Sequence, residues 1–109
     1  MSAPDLQFGL RSEVLEKLLS VFHKHPNVER VTIYGSRSIG NYRNGSDIDL
    51  TMIGDKLQWS DLQVIEQEID ELLLPYKVDL SIFNQIDNPD LLNHIEQWGK
   101  ELALVGNAP

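Results

Sequence analysis

Two stretches decide how this chain is read: Val28-Glu29-Arg30-Val31-Thr32-Ile33-Tyr34-Gly35-Ser36-Arg37, and Ser46-Asp47-Ile48-Asp49-Leu50-Thr51-Met52-Ile53-Gly54. Val28–Tyr34 has the alternation of a strand, with Val31 and Ile33 on one face and Thr32 and Tyr34 on the other. Asp47–Ile53 alternates in the same way: Ile48, Leu50 and Met52 share a face, and Asp47, Asp49 and Thr51 take the opposite one. A run rich in Gly, Ser and Asn, Gly35–Ser46, joins the two and has room for a short helix. A third run, Lys77–Phe83, puts Val78, Leu80 and Ile82 on one face and Lys77, Asp79 and Ser81 on the other.

Helical patterns separate these strands. Ser12 to His25 carries Val14, Leu15, Leu18, Val21 and Phe22 at helical spacing, with Ser12 as the expected N-cap and Pro26 as the stop. Ser60–Leu74 repeats the pattern with Leu62, Ile65, Ile69, Leu72 and Leu73; Ser60 and Gln63 form the expected capping box and Pro75 ends the helix. Asn88, Pro89 and Gly99 bracket a last helix with Leu92, Ile95 and Trp98 expected inward. Glu101–Val105 reads as a short edge strand. The order α-β-(α)-β-α-β-α-(β) predicts an α/β (α+β) layer fold: a mixed sheet with helices on its apolar face and an open polar face.

The 109 residues fit one domain over 1–109. Hydrophobic residues make up 41% and charged residues 24%, which argues against disorder, collagen or a coiled coil. There is no Cys, so disulfides, thiolate nucleophiles and thiolate metal sites are excluded together. No apolar run matches a membrane span and Met1–Leu10 lacks the pattern of a secretory leader, so the expected location is cytoplasmic. Nine Lys and Arg against seventeen Asp and Glu give a net charge of −8. So acidic a chain repels a phosphate backbone, which excludes an extended nucleic-acid groove but not one small polyanion held locally by donors or a metal.

The polar sheet face needs a reason to exist. Asp is a poor strand former, and like charges on neighbouring positions repel. Asp47 and Asp49 project in parallel, roughly 6.5–7 Å apart along a strand, and Asp79 on an adjacent strand would complete a triangle. Divalent cations resolve such a conflict, because Mg²⁺ binds through a few carboxylates together with substrate phosphates, and two such ions support in-line displacement at phosphorus. Just upstream, Gly35 lets a ligand approach the backbone, Ser36 offers a hydroxyl, and the N–H groups of a helix start favour phosphate. Arg37 and Arg43 are cations in the same loop. Carboxylates beside a phosphate-cradling turn make a coherent site for a nucleoside triphosphate.

Gly35-Ser36, ten residues, then Asp47-Ile48-Asp49 is the G-S-x10-D-x-D pattern, and GSRSIGNYRNGSDIDL resembles the minimal nucleotidyltransferase (MNT) branch of the DNA polymerase β-like superfamily. The likeness runs from about Ser12 to Val105, and Asp79 stands where that family carries its third carboxylate. The resemblance implies the nucleotidyltransferase fold. It implies two Mg²⁺ ions held by Asp47, Asp49 and Asp79, with Asp79 also orienting or deprotonating the attacking hydroxyl. It implies that Gly35 and Ser36 contact the triphosphate, and Arg37 is the expected cation beside them. Many members of that branch pair with a HEPN-domain toxin and act as its antitoxin by moving AMP from ATP to a tyrosine. The implied state is a hetero-oligomer with that partner.

Two rivals stand beside this reading: transfer to a small-molecule hydroxyl, and an antitoxin that neutralises its partner by binding alone. Plainer roles compete for single residues. Ser46 can simply brace the turn into the second strand, and Lys77 can pair with a carboxylate. His23, His25 and His94 form no ligand set. Trp98 reads as a core anchor, Trp59 as a staple or exposed contact, and Glu66–Glu71 as a solvated helix face.

Overall fold

Four strands form a sheet in the order β5-β4-β3-β6, built from β3 (Arg30–Tyr34), β4 (Ile48–Ile53), β5 (Val78–Ile82) and β6 (Lys100–Leu102). The computed structural model describes residues 6–102. β3 is antiparallel to both β4 and β6, whereas β5 runs parallel to β4. The sheet is therefore mixed, as expected. A parallel pair needs a long crossover, and α3 (Trp59–Asp70) supplies it between β4 and β5. A two-stranded hairpin, β1 (Leu6–Gln7) and β2 (Leu10–Arg11), precedes α1 (Ser12–His23). The sequence reading had no strands there. Its signal is only the pair Phe8-Gly9, both at positive φ (57° and 73°), the handedness that a two-residue hairpin turn requires.

The apolar faces of the strands are buried as their alternation predicts. Val31, Ile33, Ile48, Leu50 and Met52 are wholly inaccessible and pack against Leu15, Leu18, Val21 and Phe22 of α1 and Leu62, Ile65 and Ile69 of α3. Burying a side chain of this size contributes about 1.5–3 kcal/mol, so this single layer between sheet and helices dominates the stability. His25 Nε2 and Glu68 Oε1, 2.6 Å apart, join the segment after α1 to α3, and that hydrogen bond holds the Glu68 carboxyl below its ordinary range.

Several local expectations are corrected. Ser12 is the first residue of α1, not its cap; Arg11 is the N-cap and its side chain makes no capping bond. The capping box of α3 lies two residues earlier than expected: the Gln58 side chain accepts from the Asp61 N–H, and the Asp61 carboxylate accepts from the Gln58 N–H at 2.9 Å. That helix ends at Asp70, and Leu73, at φ 55°, is 87% exposed and does not join the core stripe. The chain leaves the helical path before the periodicity in the sequence stops. Trp98 is 45% exposed and is no core anchor, while Trp59 is exposed at 60%. Both strands after the loops start one residue late, so Asp47 and Lys77 lie just outside β4 and β5. β6 ends at Leu102, and the remainder of the strand expected over Glu101–Val105 lies outside the described residues.

The last helix, α4 (Pro89–Trp98), forms as the sequence predicts. Asn88 Oδ1 accepts from the Asp90 and Leu91 N–H groups, Pro89 opens the first turn and Gly99 follows the last. Ile95 is buried but stands apart from the main core. α4 instead packs on β3 from the carboxylate side: a Cβ on Gly99 would lie 2.7 Å from Thr32 Cγ2. It covers the β3 end of the polar face, while Asp79 at the β5 edge is exposed.

The loop between β3 and β4 is held by one cation. Arg37, in the short helix α2 (Ser36–Ile39), is only 3% exposed. Its Nε and Nη2 donate to the Ser46 carbonyl (3.1 and 2.9 Å), and its Nη1 donates to the Phe8 carbonyl (2.9 Å). The guanidinium lies over the rings of Tyr42 (5.3 Å) and Tyr76 (4.9 Å). This corrects the expectation of phosphate contact: the fork is spent on joining the hairpin, the loop and the entry to β5. A Lys has neither the fork nor the plane to replace it. Arg37→Ala should lower the unfolding free energy by about 3 kcal/mol, since two carbonyls of half-buried residues lose charge-assisted donors and the Arg37 side chain itself is buried. Arg37→Lys should recover less than half of that in urea denaturation; a Lys variant as stable as the parent would contradict this role.

Candidate active site

The register of β4 on β5 places Asp49 opposite Asp79, and the register of β3 on β4 places Tyr34 opposite Asp49. Side chains at paired positions project to the same face, so two carboxyls and a phenol converge on the polar side. The carboxyls of Asp49 and Asp79 stand within hydrogen-bonding reach of each other. Burial, then the neighbouring charge of Asp79, then that of Asp47, push the Asp49 carboxyl above its ordinary range; only a protonated His94 would oppose this. Burial also raises the Tyr34 phenol, opposed by a hydrogen bond with Ser81 and reinforced by the charges of Asp49 and Asp79. Asp47 is exposed at the mouth of β4. Lys77 approaches Asp79 at 3.9 Å, but with side chains 72% and 48% exposed this pair is weak.

Deeper along the same face the polar groups satisfy one another. Ser81 Oγ donates to Thr51 Oγ1 at 2.9 Å, and Thr51 is fully buried. The hydroxyl pair thus closes the floor of the site, whereas the carboxyl pair above it is left with like charge against like.

Gly35 connects β3 to α2 at φ 78°, ψ −157°, a backbone region open to glycine alone. A Cβ there would stand 2.3 Å from Asp49 Oδ2. The turn therefore passes directly over the carboxylate, and the absence of a side chain permits it. The Gly35 carbonyl accepts from the N–H groups of Ser38 and Ile39 and from Ser38 Oγ. Its own N–H donates to His94 Nε2 at 3.0 Å, so the Gly35 N–H is not directed to a ligand. Ser36, the next residue in the chain, is half-buried. His94 was not among the expected site residues, since a single His on a helix carries no spacing signal.

Of the expected residues, the fold brings Gly35, Asp49 and Asp79 together, with Asp47 and Ser36 at the rim. Arg37 stands apart, buried in the loop. Ser46 braces the turn: its Oγ accepts from the Arg43 N–H at 2.8 Å, while the Arg43 residue is exposed. Among the described residues no three acidic or histidine side chains are gathered tightly enough to hold a metal by themselves. A cleft of about 490 Å³ between the end of α3 and β5, lined by Ile69, Leu73, Tyr76, Val78 and Leu80 among others, lies on the apolar side of the sheet and does not include the carboxylates.

Comparison with known proteins agrees with this fold. No curated protein matches the chain in sequence. Among solved structures, a toxin–antitoxin complex with AMP-PNP superposes with a TM-score of 0.66 at 22% identity, covering 82% of this chain and 72% of that one. The MntA–HepT toxin–antitoxin gives 0.63 at 18%, over 85% and 72%. The complex of a tri-AMPylated Shewanella oneidensis HEPN toxin with its MNT antitoxin gives 0.61 at 19%, over 84% and 70%. These likenesses carry the fold. The sequence itself matches the family model described as polymerase beta, nucleotidyltransferase, over residues 16–104, a span that contains the Gly35 turn, the paired strands and all three aspartates. With that match over most of its length, the chain belongs to the polymerase beta nucleotidyltransferase family.

Proposed function

We propose that this chain transfers AMP from ATP to a hydroxyl, a tyrosine of a HEPN-domain partner, and so acts as that partner's antitoxin. The observation that carries the reading is the Asp49–Asp79 pair, held side by side by strand register directly beneath the Gly35 turn. The fold neighbours add to it, because one holds AMP-PNP and another an AMP-modified HEPN toxin beside an MNT antitoxin.

The donor set suits Mg²⁺, a hard cation that takes one or two carboxylates and completes its shell with water and substrate phosphates. Asp47, Asp49 and Asp79 would hold it. When bound, the cation neutralises these carboxylates and the phosphate oxygens and stabilises the charge of in-line displacement. The protein's own groups do the rest. The Gly35–Ser36 turn receives the triphosphate, and the Ser36 N–H and hydroxyl orient the phosphate oxygens. An Asp79 carboxylate oxygen takes the proton of the attacking hydroxyl. The hydroxyl oxygen forms its bond to the α-phosphorus as the bond to the β-phosphate oxygen breaks, and pyrophosphate leaves.

The test combines purified protein, labelled ATP, Mg²⁺ and the HEPN partner, read by intact mass. An adenylate increment on the partner that disappears with EDTA and in Asp47→Asn or Asp49→Asn is expected. Tight binding and neutralisation without any increment, equally good in Asp47→Asn, would support the binding-only antitoxin instead. Gly35→Ala should abolish transfer as well, since the new methyl meets both a forbidden backbone angle and the Asp49 carboxylate.

The electrostatics make a separate prediction for the metal-free protein. A carboxyl whose folded value is raised binds its proton more tightly in the folded chain. Its favourable contribution is complete below the ordinary Asp range and is lost as pH rises through the raised value. At neutral pH ionised Asp49 therefore weakens the fold. Asp49→Asn should raise the thermal midpoint in EDTA at about pH 7, with the gain shrinking as pH falls below the ordinary Asp range, where the carboxyl is protonated in folded and unfolded chain alike. An Asn variant that is markedly less stable at neutral pH would assign Asp49 a structural role.

A further inference from the structure

His94 is the one imidazole that the fold brings to the Gly35 turn, and the sequence offers no motif that marks it. Its Nε2 accepts the Gly35 N–H at 3.0 Å, which requires a neutral ring with its proton on Nδ1. Its ring meets Tyr34 edge-on, with centroids 6.2 Å apart and planes at 75°. The contact is local to the site, because Tyr34 immediately precedes the turn and is paired with Asp49.

The element carrying His94 is fixed at both ends. Asn88 caps its start with two hydrogen bonds. At its other end Gly99 leads straight into β6, whose Lys100 pairs with Ile33 of β3. Gly99 fits so closely that a Cβ would meet the Ile95 carbonyl oxygen at 2.4 Å as well as Thr32. α4 is therefore registered to β3, and the turn that follows β3 is gripped by a residue whose position β3 itself sets.

The turn needs such a grip. Glycine has no side chain to limit its backbone, so a Gly in an unusual conformation holds it only where neighbours fix its polar groups. The Gly35 carbonyl is fixed from within α2. The N–H is fixed from outside, by His94 alone among the described residues.

We propose that His94 is a positioning residue for the nucleotide: by accepting the Gly35 N–H it holds the Gly35–Ser36 turn in the conformation that receives the triphosphate. This assignment rests on the transferase reading above. It predicts a division of effects, because the hydrogen bond that His94 accepts fixes the turn that binds phosphate, whereas Asp79 takes the proton of the hydroxyl.

The experiment measures AMP transfer to the HEPN partner at varied ATP for the parent, His94→Ala and His94→Gln, with thermal midpoints of each. Loss of the acceptor should raise the KM for ATP about tenfold while kcat changes less than about threefold. Gln, whose Oε1 can accept the same N–H, should restore KM to within about threefold of the parent. The midpoint of His94→Gln should match the parent, which separates positioning from folding even if the Ala variant is unstable. An Ala variant with unchanged KM, a loss confined to kcat, or a folded Gln variant no better than Ala would overturn the assignment. A parent protein that transfers no AMP would overturn the transferase reading and this assignment together. A parent that transfers AMP beside an unaltered Ala variant would overturn the assignment alone.

Discussion

Two carboxylates held against each other by strand register are the constraint around which the molecule is arranged. Asp49 and Asp79 occupy paired positions on parallel strands, so neither can retreat without breaking the β4–β5 ladder. Burial, with their mutual repulsion, raises the Asp49 carboxyl, and among the described residues no neighbouring Lys or Arg supplies a full counter-charge. Lys77 is too exposed to do so, and Arg37 is committed to carbonyls elsewhere. An unresolved clash of this kind on a sheet face is offset by the opposite face, where Ile48, Leu50 and Met52 of β4 are wholly buried and sealed against α1 and α3. Stability is concentrated on one side of the sheet, and the other side can hold a charge arrangement suited to cations and phosphates.

The elements around the pair make sense in these terms. Gly35 has to be glycine because the backbone crosses above Asp49 with no room for a methyl group. Thr51 and Ser81 fill the floor with a self-satisfied hydroxyl pair, which keeps an unpaired polar group from being buried there. The loop from Gly40 to Ser46 would be free to wander on its own sequence, and the Arg37 fork fixes its end one residue before Asp47. The Arg37 cation thus sets the entry of β4.

Much of this was legible in the residues. Alternation gave the faces of β3, β4 and β5 correctly, because a one-residue error would have buried aspartate, and it thereby put Asp49 and Asp79 on one surface. Asn88, Pro89 and Gly99 marked α4 because capping chemistry is local. What was not legible depends on distant contacts. The roles of Arg37 and His94 rest on partners 29 and 59 residues away, Phe8 and Gly35, and no spacing rule reaches that far. The misplaced capping box has a different cause: Ser60 is the better cap by residue type, yet Gln58 with Asp61 made the reciprocal pair. Leu73 and Trp98 were assigned to the core from periodicity that outlasts the packed part of their helices.

The most direct measurement locates the cation. Crystals grown with Mn²⁺ and a non-hydrolysable ATP analogue would show the ion by its anomalous scattering. The account predicts density between Asp49 and Asp79, with Asp47 and phosphate oxygens completing the shell and the triphosphate lying along the Gly35–Ser36 turn. Ordered analogue bound elsewhere, or manganese absent from the carboxylate pair while the analogue is present, would contradict it.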